Sequence, residues 1–314
     1  MAKSVWDWRG LARGAIATAL LIGLLWLVQR SIGWSGVLAA WRHIPAETLV
    51  MATALLVGAQ IVRGLRLRCY LASHPGARTG PLIRISILHT AANNLLPMRL
   101  GEAALPLLLR PMGVGWSEGL VSLLWLRIFD LHALMSVALV FVTASRWGVQ
   151  AVPVSLLIAA VILIASVALL RRVGRSGLGS RFRGLAAVST VLHRPLARPF
   201  TLYLWTLLIW ALKWAGMVSL LAVLVPVSPL QQAMGVVAGE LSSVLPVHGV
   251  AGAGTYEAAV VAGMGLSGAA MSGQLLAAAV NLHLYLLTVS VGLALLVYPF
   301  RGRRAPCHKT DVVL

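Results

Sequence analysis

The chain has 314 residues, of which 59% are hydrophobic and only 11% are charged. Soluble domains carry roughly a quarter charged residues, so we expect lipid to be the solvent for most of this chain. The formal net charge of +18 would suit nucleic acid if the basic residues formed one soluble face, but most of them lie in short loops between apolar segments. The composition therefore argues against nucleic-acid binding and predicts an integral membrane protein.

Six apolar segments are long enough to cross a hydrocarbon core of about 30 Å as helices. In the first, an apolar run from Gly14 to Val28 follows Lys3, Arg9 and Arg13 but no A-x-A cleavage site comes after it, so we interpret it as a retained span and not as a signal peptide. The predicted spans are residues 11–29, 46–62, 116–142, 149–170, 199–225 and 273–298.

Basic loops orient these spans, because Lys and Arg concentrate on the cytoplasmic side of a membrane. This rule predicts a multi-pass membrane protein with both termini in the cytoplasm. The basic loops would then face the anionic cytoplasmic leaflet. The basic segments are the N-terminus, 63–84, 171–198 and the tail from 301, whereas 30–45, 143–148 and 226–272 carry few or no basic residues.

Two further apolar stretches, 82–110 and 230–268, must each enter and leave the membrane on the same side if the loops are placed in this way. Proline breaks divide both stretches, at Asn93–Pro97 and at Ser242–Pro246. Each half is too short to span a bilayer alone. We therefore predict two re-entrant broken hairpins, the second beginning with Ser228 as N-cap and Pro229 at the first helical position.

The order of elements is span, span, hairpin, span, and then the same again. Three crossings per unit make the second unit inverted relative to the first, which is a plan common among secondary transporters. We predict an all-α polytopic membrane protein with a first repeat at 1–148, an inverted second repeat at 149–300 and a basic cytoplasmic tail at 301–314.

Charged side chains at bilayer depth cost about 2.5–3.5 kcal/mol each on insertion scales, so each needs a reason. Arg127 and Asp130 are three residues apart and could pair within one helix. The whole set could be internal ion pairs that hold the hairpins to the spans. Glu102 and Glu257 could also be first-turn carboxylates of half-helices, with Thr255 as the N-cap of the helix that holds Glu257. The residues concerned are Arg99, Glu102, Arg127, Asp130, Lys213, Glu240 and Glu257.

Histidines within the apolar segments show no metal-ligand spacing, and we interpret them as polar packing groups. They are His89, His132, His248 and His283. We predict no metal site and no cofactor.

An anion-binding hypothesis uses the same charges. The N-terminus of a half-helix favours phosphate, and Arg99 or Arg127 could hold it bidentately. Gly252 and Gly254 would allow backbone N–H groups to approach a ligand closely.

Three motifs resemble the transmembrane domain of lysyl-phosphatidylglycerol synthases and their stand-alone, flippase-like relatives. They are Asn94–Glu102 (NLLPMRLGE), Arg127–Asp130 (RIFD) and Gly252–Glu257 (GAGTYE), in matching order across nearly the whole chain. The resemblance implies movement of a polar lipid between leaflets, with substrate-binding roles for Asn94, Arg99, Glu102, Arg127, Asp130, Gly252, Gly254 and Glu257. Two departures, Leu126 in place of an acid and the apolar run 103–106 in place of a basic residue, leave the headgroup open.

We therefore expect a transporter of a phosphate-bearing lipid in the inner (plasma) membrane of a bacterium or archaeon, and we do not expect it to act as an enzyme. The soluble aminoacyl-transferring domain of the bifunctional synthases is not expected here, so the chain would not aminoacylate lipid. Candidate partners are an anionic lipid headgroup, a second copy of the chain and a lipid-synthesis enzyme. The alternatives are a membrane-embedded enzyme, or a non-transporting partner subunit, in envelope-lipid or lipid-linked sugar biosynthesis.

Overall fold

The computed structural model describes residues 33–175, 198–244, 250–270 and 272–299, together with 22–23, 25–26 and 28–30. The side chains of 97–99 lie outside the described set. So do residues 1–21, most of the basic loop 171–198, His248 and the tail 301–314, with the predictions that fall on them. All regular structure in the described part of the chain is helical.

The helices follow the predicted order. In chain order they are α1 (Trp34–Arg42), α2 (Ala46–Tyr70), α3 (Thr79–Leu95), a 3₁₀ turn (Pro97–Ala103), α4 (Ala104–Leu109), a 3₁₀ turn (Arg110–Met112), α5 (Trp116–Trp147), a 3₁₀ turn (Val149–Ala151), α6 (Val152–Arg175), α7 (Pro199–Leu224), α8 (Pro229–Ser242), a 3₁₀ turn (Val250–Gly252), α9 (Thr255–Leu266) and α10 (Gly273–Val297).

Five of the six predicted spans are present as helices long and apolar enough to cross a membrane, namely α2, α5, α7, α10 and the segment Val149–Leu169. The first predicted span, 11–29, lies mostly outside the described residues. The chain is an all-α polytopic membrane protein, as predicted.

The end predicted for the second span is wrong. Helix α2 does not stop at residue 62 but continues to Tyr70, so Arg63 and Arg66 belong to the helix and not to a basic loop. Arg66 is only 2% exposed. A buried arginine is tolerated because a carboxylate from another helix neutralises it, a partner that could not be assigned from local sequence.

Both hairpin breaks are confirmed. Helix α3 ends at Leu95, and Leu96 adopts extended backbone (ψ 132°), as a residue before proline prefers. Helix α8 ends at Ser242, and Ser228 caps its start through a reciprocal pair of hydrogen bonds with Gln231.

Glycines let the limbs of each hairpin approach closely. A Cβ on Gly101 would lie 2.4 Å from the backbone of Ala92 and Asn93, so the returning limb of the first hairpin packs directly on α3. In the second hairpin, a Cβ on Gly263 would lie 2.5 Å from the carbonyl oxygen of Met234. Such small-residue contacts are the usual way in which membrane helices pack closely.

Helices α2 and α7, the second elements of the two predicted repeats, pack against each other in opposite directions. Gly216 of α7 lies against Ala52 near the start of α2, and Leu212 lies against Gly58. Further along α2, Arg66 bonds Thr206, which precedes both of these α7 residues. An inverted repeat predicts this antiparallel crossing of equivalent helices. The boundary at residue 148 stays a prediction.

Each hairpin packs on helices of both halves. Helix α3 of the first hairpin packs on α10, the last helix of the second half, and α8 of the second hairpin packs on α5, the last helix of the first half. Arg84 caps the carboxyl end of α10 by donating to Val297 O and Tyr298 O at 2.9 and 3.0 Å. The two breaks also contact each other, which brings the irregular backbone of both hairpins to one place.

Candidate functional site

A cavity of about 380 Å³ lies where the two hairpins meet. Its walls come from both halves of the chain: α2, α5, α7 and α10, and both hairpins. Ligand sites are typically about 300–1,000 Å³ in volume, so the cavity is large enough for a small polar group. Its charged lining residues are Arg63, Glu102, Arg127, Asp130, Lys213 and Glu240.

The cavity presents its cations more openly than its carboxylates. The side chain of Arg127 is 32% exposed against 19% for its partner Glu102, and that of Lys213 is 23% exposed against 5% for Glu240. Arg63 is 16% exposed against 7% for Asp130. In each of these three pairs the cation is thus the more exposed partner.

Asp130 is held by α2 and not by its own helix. Arg66 donates to both carboxylate oxygens at 2.6 and 3.1 Å, and also to Thr206 Oγ1 at 2.8 Å. A second arginine, Arg63, approaches to 3.9 Å. Two arginines thus share one carboxylate, which leaves a surplus positive charge at the cavity wall. Sequence analysis missed both arginines.

Arg127 pairs with the first hairpin. It donates from Nε to Glu102 Oε2 at 2.8 Å, and its Nη2 lies 2.7 Å from Glu102 Oε1. The possible pairing of Arg127 with Asp130 within one helix is therefore not the one that the structure adopts. Arg127 instead makes a bidentate pair with Glu102, a residue of another element.

Lys213 of α7 donates to Glu240 of α8 at 2.6 Å, and its ammonium lies 5.3 Å from the ring centre of Trp210. Both charges were expected within the membrane, but neither was placed in the predicted site. The structure adds them to it.

Glu257 fastens the second hairpin to α10. Its Oε2 accepts the N–H of Gly254 at 2.8 Å, and its Oε1 lies 2.6 Å from His283 Nδ1. Gly254, not Thr255, is thus the N-cap of α9, and Thr255 is the first helical residue. The helix start is capped by its own Glu257, so the first-turn carboxylate interpretation fits better than an anion-binding N-terminus.

Two other predicted residues lie at the cavity, and one cannot be placed. Asn94 lines it and donates to Ser290 Oγ at 2.8 Å. Gly252 lines it from the second break, in the left-handed conformation (φ +81°) that favours glycine. The side chain of Arg99 lies outside those that the structure describes.

Four buried polar atoms of cavity-lining residues have no hydrogen-bond partner among the described residues. They are Arg63 Nε, Asn93 Oδ1, the indole N–H of Trp210 and the hydroxyl of Tyr256. Buried polar groups are normally paired, so these four atoms are exceptions in the cavity wall.

The three described membrane histidines make hydrogen bonds, as packing groups do. His89 contacts Asn93 at 3.2 Å, and His132 contacts the Tyr203 hydroxyl at 2.8 Å and the Ala159 carbonyl at 2.7 Å. Of these three, only His283 lines the cavity.

A search of curated proteins gives no match. A protein-family model described as the lysylphosphatidylglycerol synthase TM region matches residues 14–298. This covers both hairpins and all three motifs, and it agrees with the helical membrane architecture. The chain therefore belongs to the lysylphosphatidylglycerol synthase TM region family, a family of membrane proteins tied to lipid biology.

Proposed function

We propose that this protein is a transporter that moves a polar, phosphate-bearing lipid between the two leaflets of the membrane. The observation that carries the proposal is the cavity between the hairpins, in which Arg63, Arg127 and Lys213 are each more exposed than the carboxylate beside them. Arginine and lysine both bind phosphate, arginine bidentately.

The cavity also has an apolar edge where acyl chains could leave. Leu131 lines it and is 40% exposed, near the middle of the 32-residue helix α5. In a membrane-spanning helix that position faces lipid tails at mid-depth. A polar interior beside an apolar exit suits an amphiphile whose headgroup enters the bundle while its chains remain in the bilayer.

The ion pairs can serve as the resting state of this site. Glu102 and Glu240 lie on the hairpins, and their cations Arg127 and Lys213 lie on spans. A phosphate that replaces a carboxylate at one of these cations would loosen a hairpin from a span. Binding would thereby be linked to a change in packing, as alternating access requires.

The test compares two arginines on one helix. Arg63→Gln removes a cavity cation, and Arg68→Gln removes an exposed one, with the same change in net charge. Each protein is reconstituted in vesicles that contain fluorescent phosphatidylglycerol, and movement between leaflets is followed by quenching from outside. We expect lipid to move faster in vesicles with wild type or Arg68→Gln than in empty vesicles. Movement with Arg63→Gln should be about tenfold slower than with wild type, which is the effect of losing one charged hydrogen bond of about 1.4 kcal/mol.

Two results would overturn the proposal. The first is wild-type lipid movement no faster than that of empty vesicles for anionic, zwitterionic and sugar-bearing headgroups alike. The second is equal activity of the Arg63→Gln and Arg68→Gln variants, which would remove the cavity from the transport route.

A further inference from the structure

In each hairpin a glutamate bonds the span that follows, in one case through an arginine and in the other through a histidine. Glu102, on the returning limb of the first hairpin, binds Arg127 on the next span, 25 residues later. Glu257, on the returning limb of the second hairpin, binds His283 on the next span, 26 residues later. Arginine is charged at every physiological pH, whereas histidine changes its charge within that range.

His283 is placed to exchange a proton with the cavity. Its Nδ1 lies 2.6 Å from a carboxylate, so Nδ1 carries the hydrogen and donates it to Glu257. The opposite edge of the ring faces the second break, where a Cβ on Gly252 would lie 3.4 Å from Cε1 and 3.5 Å from Nε2. In the neutral ring, Nε2 is thus an acceptor that bonds no residue in the described part of the chain, and it lies next to the cavity-lining Gly252.

We propose that His283 is a proton-binding site that is coupled to the anionic headgroup: the proton binds at Nε2 when the headgroup is in the cavity, and leaves with it. This inference rests on the proposed function and adds the energy source, a proton gradient. No bond other than Nε2–H forms or breaks. The proton enters from the water on the side to which the cavity is open and is released on the other side.

Charge explains why proton and headgroup should bind together. A protonated His283 would add a positive charge to a cavity wall in which Arg63, Arg127 and Lys213 are paired with Asp130, Glu102 and Glu240. A bound phosphate adds negative charge to the same cavity, and by linkage the proton and the headgroup then favour each other. Of the titratable and charged groups, Glu257 and Tyr256 contact His283 directly. Those that line the same cavity are Arg63, Glu102, Arg127, Asp130, Lys213 and Glu240.

The surroundings stabilise the imidazolium once it forms. Glu257 would become a full ion-pair partner through the bond that it already makes. The Tyr256 ring lies 4.5 Å from the His283 ring centre to centre, tilted by 33°, so its face can attract the positive charge. Because Glu257 also holds the N–H of Gly254, protonation alters the bond that joins the second break to α10.

The experiment measures lipid movement under an imposed pH gradient, with the membrane potential clamped to zero. Vesicles contain fluorescent phosphatidylglycerol and wild type, His283→Gln or the matched control His132→Gln, whose histidine bonds Tyr203 and Ala159 and does not line the cavity. We expect wild type and His132→Gln to move the lipid about tenfold faster down the gradient than without it, and to reverse when it is reversed. His283→Gln should move lipid equally with and without the gradient.

A second measurement uses unmodified protein and does not depend on how the variants fold. Adding phosphatidylglycerol to wild-type protein in weakly buffered detergent should cause proton uptake that a pH-indicator dye detects, of up to about one proton per protein. Phosphatidylcholine should cause none.

The outcomes separate this inference from the proposed function. The proton site would be refuted if wild type moved lipid at the same rate with and without the gradient, or if His283→Gln responded to the gradient as wild type does. Neither result would refute transport. No lipid movement in any vesicle would refute transport itself. Absence of proton uptake on lipid binding would refute the coupling in either case.

Discussion

Asp130→Asn tests the buried charge cluster that ties α5 to α2. It removes the only carboxylate that the structure describes beside Arg66 and Arg63, whose guanidinium nitrogens lie 2.6 and 3.9 Å from it. The matched variant Arg66→Met removes the nearer arginine but leaves Asp130 with Arg63. The two single substitutions break the same pair, yet they should have unequal costs.

The magnitudes follow from what each variant leaves behind. Removing one partner of a buried pair costs about 3–5 kcal/mol, and we expect this full loss for Asp130→Asn, because two arginines then lack their counter-ion. In Arg66→Met, Arg63 still attracts Asp130 by up to about 4 kcal/mol at this distance in an effective dielectric of about 20, so we expect a loss of about 1–3 kcal/mol. Thr206 keeps its bond to Leu202 O at 2.9 Å.

Unfolding by sodium dodecyl sulfate in mixed micelles, followed by tryptophan fluorescence, gives the free energy of each variant. The control is Arg68→Met on the exposed face of α2, which should change stability by less than about 0.5 kcal/mol. A loss for Arg66→Met equal to or greater than that for Asp130→Asn would refute the idea that Arg63 shares the carboxylate.

Three further predictions concern packing, the unpaired hydroxyl and orientation. Gly101→Ala should lose about 1–3 kcal/mol in the same unfolding assay, because its Cβ would lie 2.4 Å from the backbone of α3, whereas Gly80→Ala, with open space around it, should lose nothing. Tyr256→Phe should unfold with unchanged free energy or gain about 1 kcal/mol, because its hydroxyl has no partner among the described residues, yet it should move lipid more slowly in vesicles. Cysteines at the exposed loop positions Gly115 and Ala270 should react with an impermeant maleimide from opposite sides of the membrane.

Each of these has a contrary result. Equal losses at the two glycine positions would show that the first hairpin does not pack on α3 at its break. A less stable Tyr256→Phe variant would reveal a hydrogen-bond partner for the hydroxyl, and an unchanged transport rate would remove it from the headgroup site. Labelling of both cysteines from the same side would refute the inverted repeat.

The spans and hairpin breaks were predictable because their causes are local. A run of apolar residues long enough to cross lipid must form a helix, and Pro97 restricts Leu96 to extended backbone whatever surrounds it. Ser228 and Pro229 start α8 for similarly local reasons. The end of α2 was not predictable in this way, because Arg63 and Arg66 look like residues of a basic loop until their partner is known.

One feature of the sequence could have indicated that α2 extends beyond residue 62. The membrane segments contained three bases, Arg99, Arg127 and Lys213, against four acids, so one further base was needed for balance. Helix α2 supplies two, Arg63 and Arg66. The same reasoning does not choose partners: Arg127 and Asp130 are neighbours on one helix, but each bonds across to another element.

The sequence by itself determined that this chain is a helical membrane protein with two broken hairpins, since hydropathy, proline and loop charge act over a few residues. Only the tertiary structure decided which charges pair, that α2 and α7 cross in opposite directions, and that both breaks line one cavity. These depend on contacts between residues far apart in the chain. For the same reason, only the structure showed that Glu102 and Glu257 make equivalent bonds, one to a permanent charge and one to a titratable one.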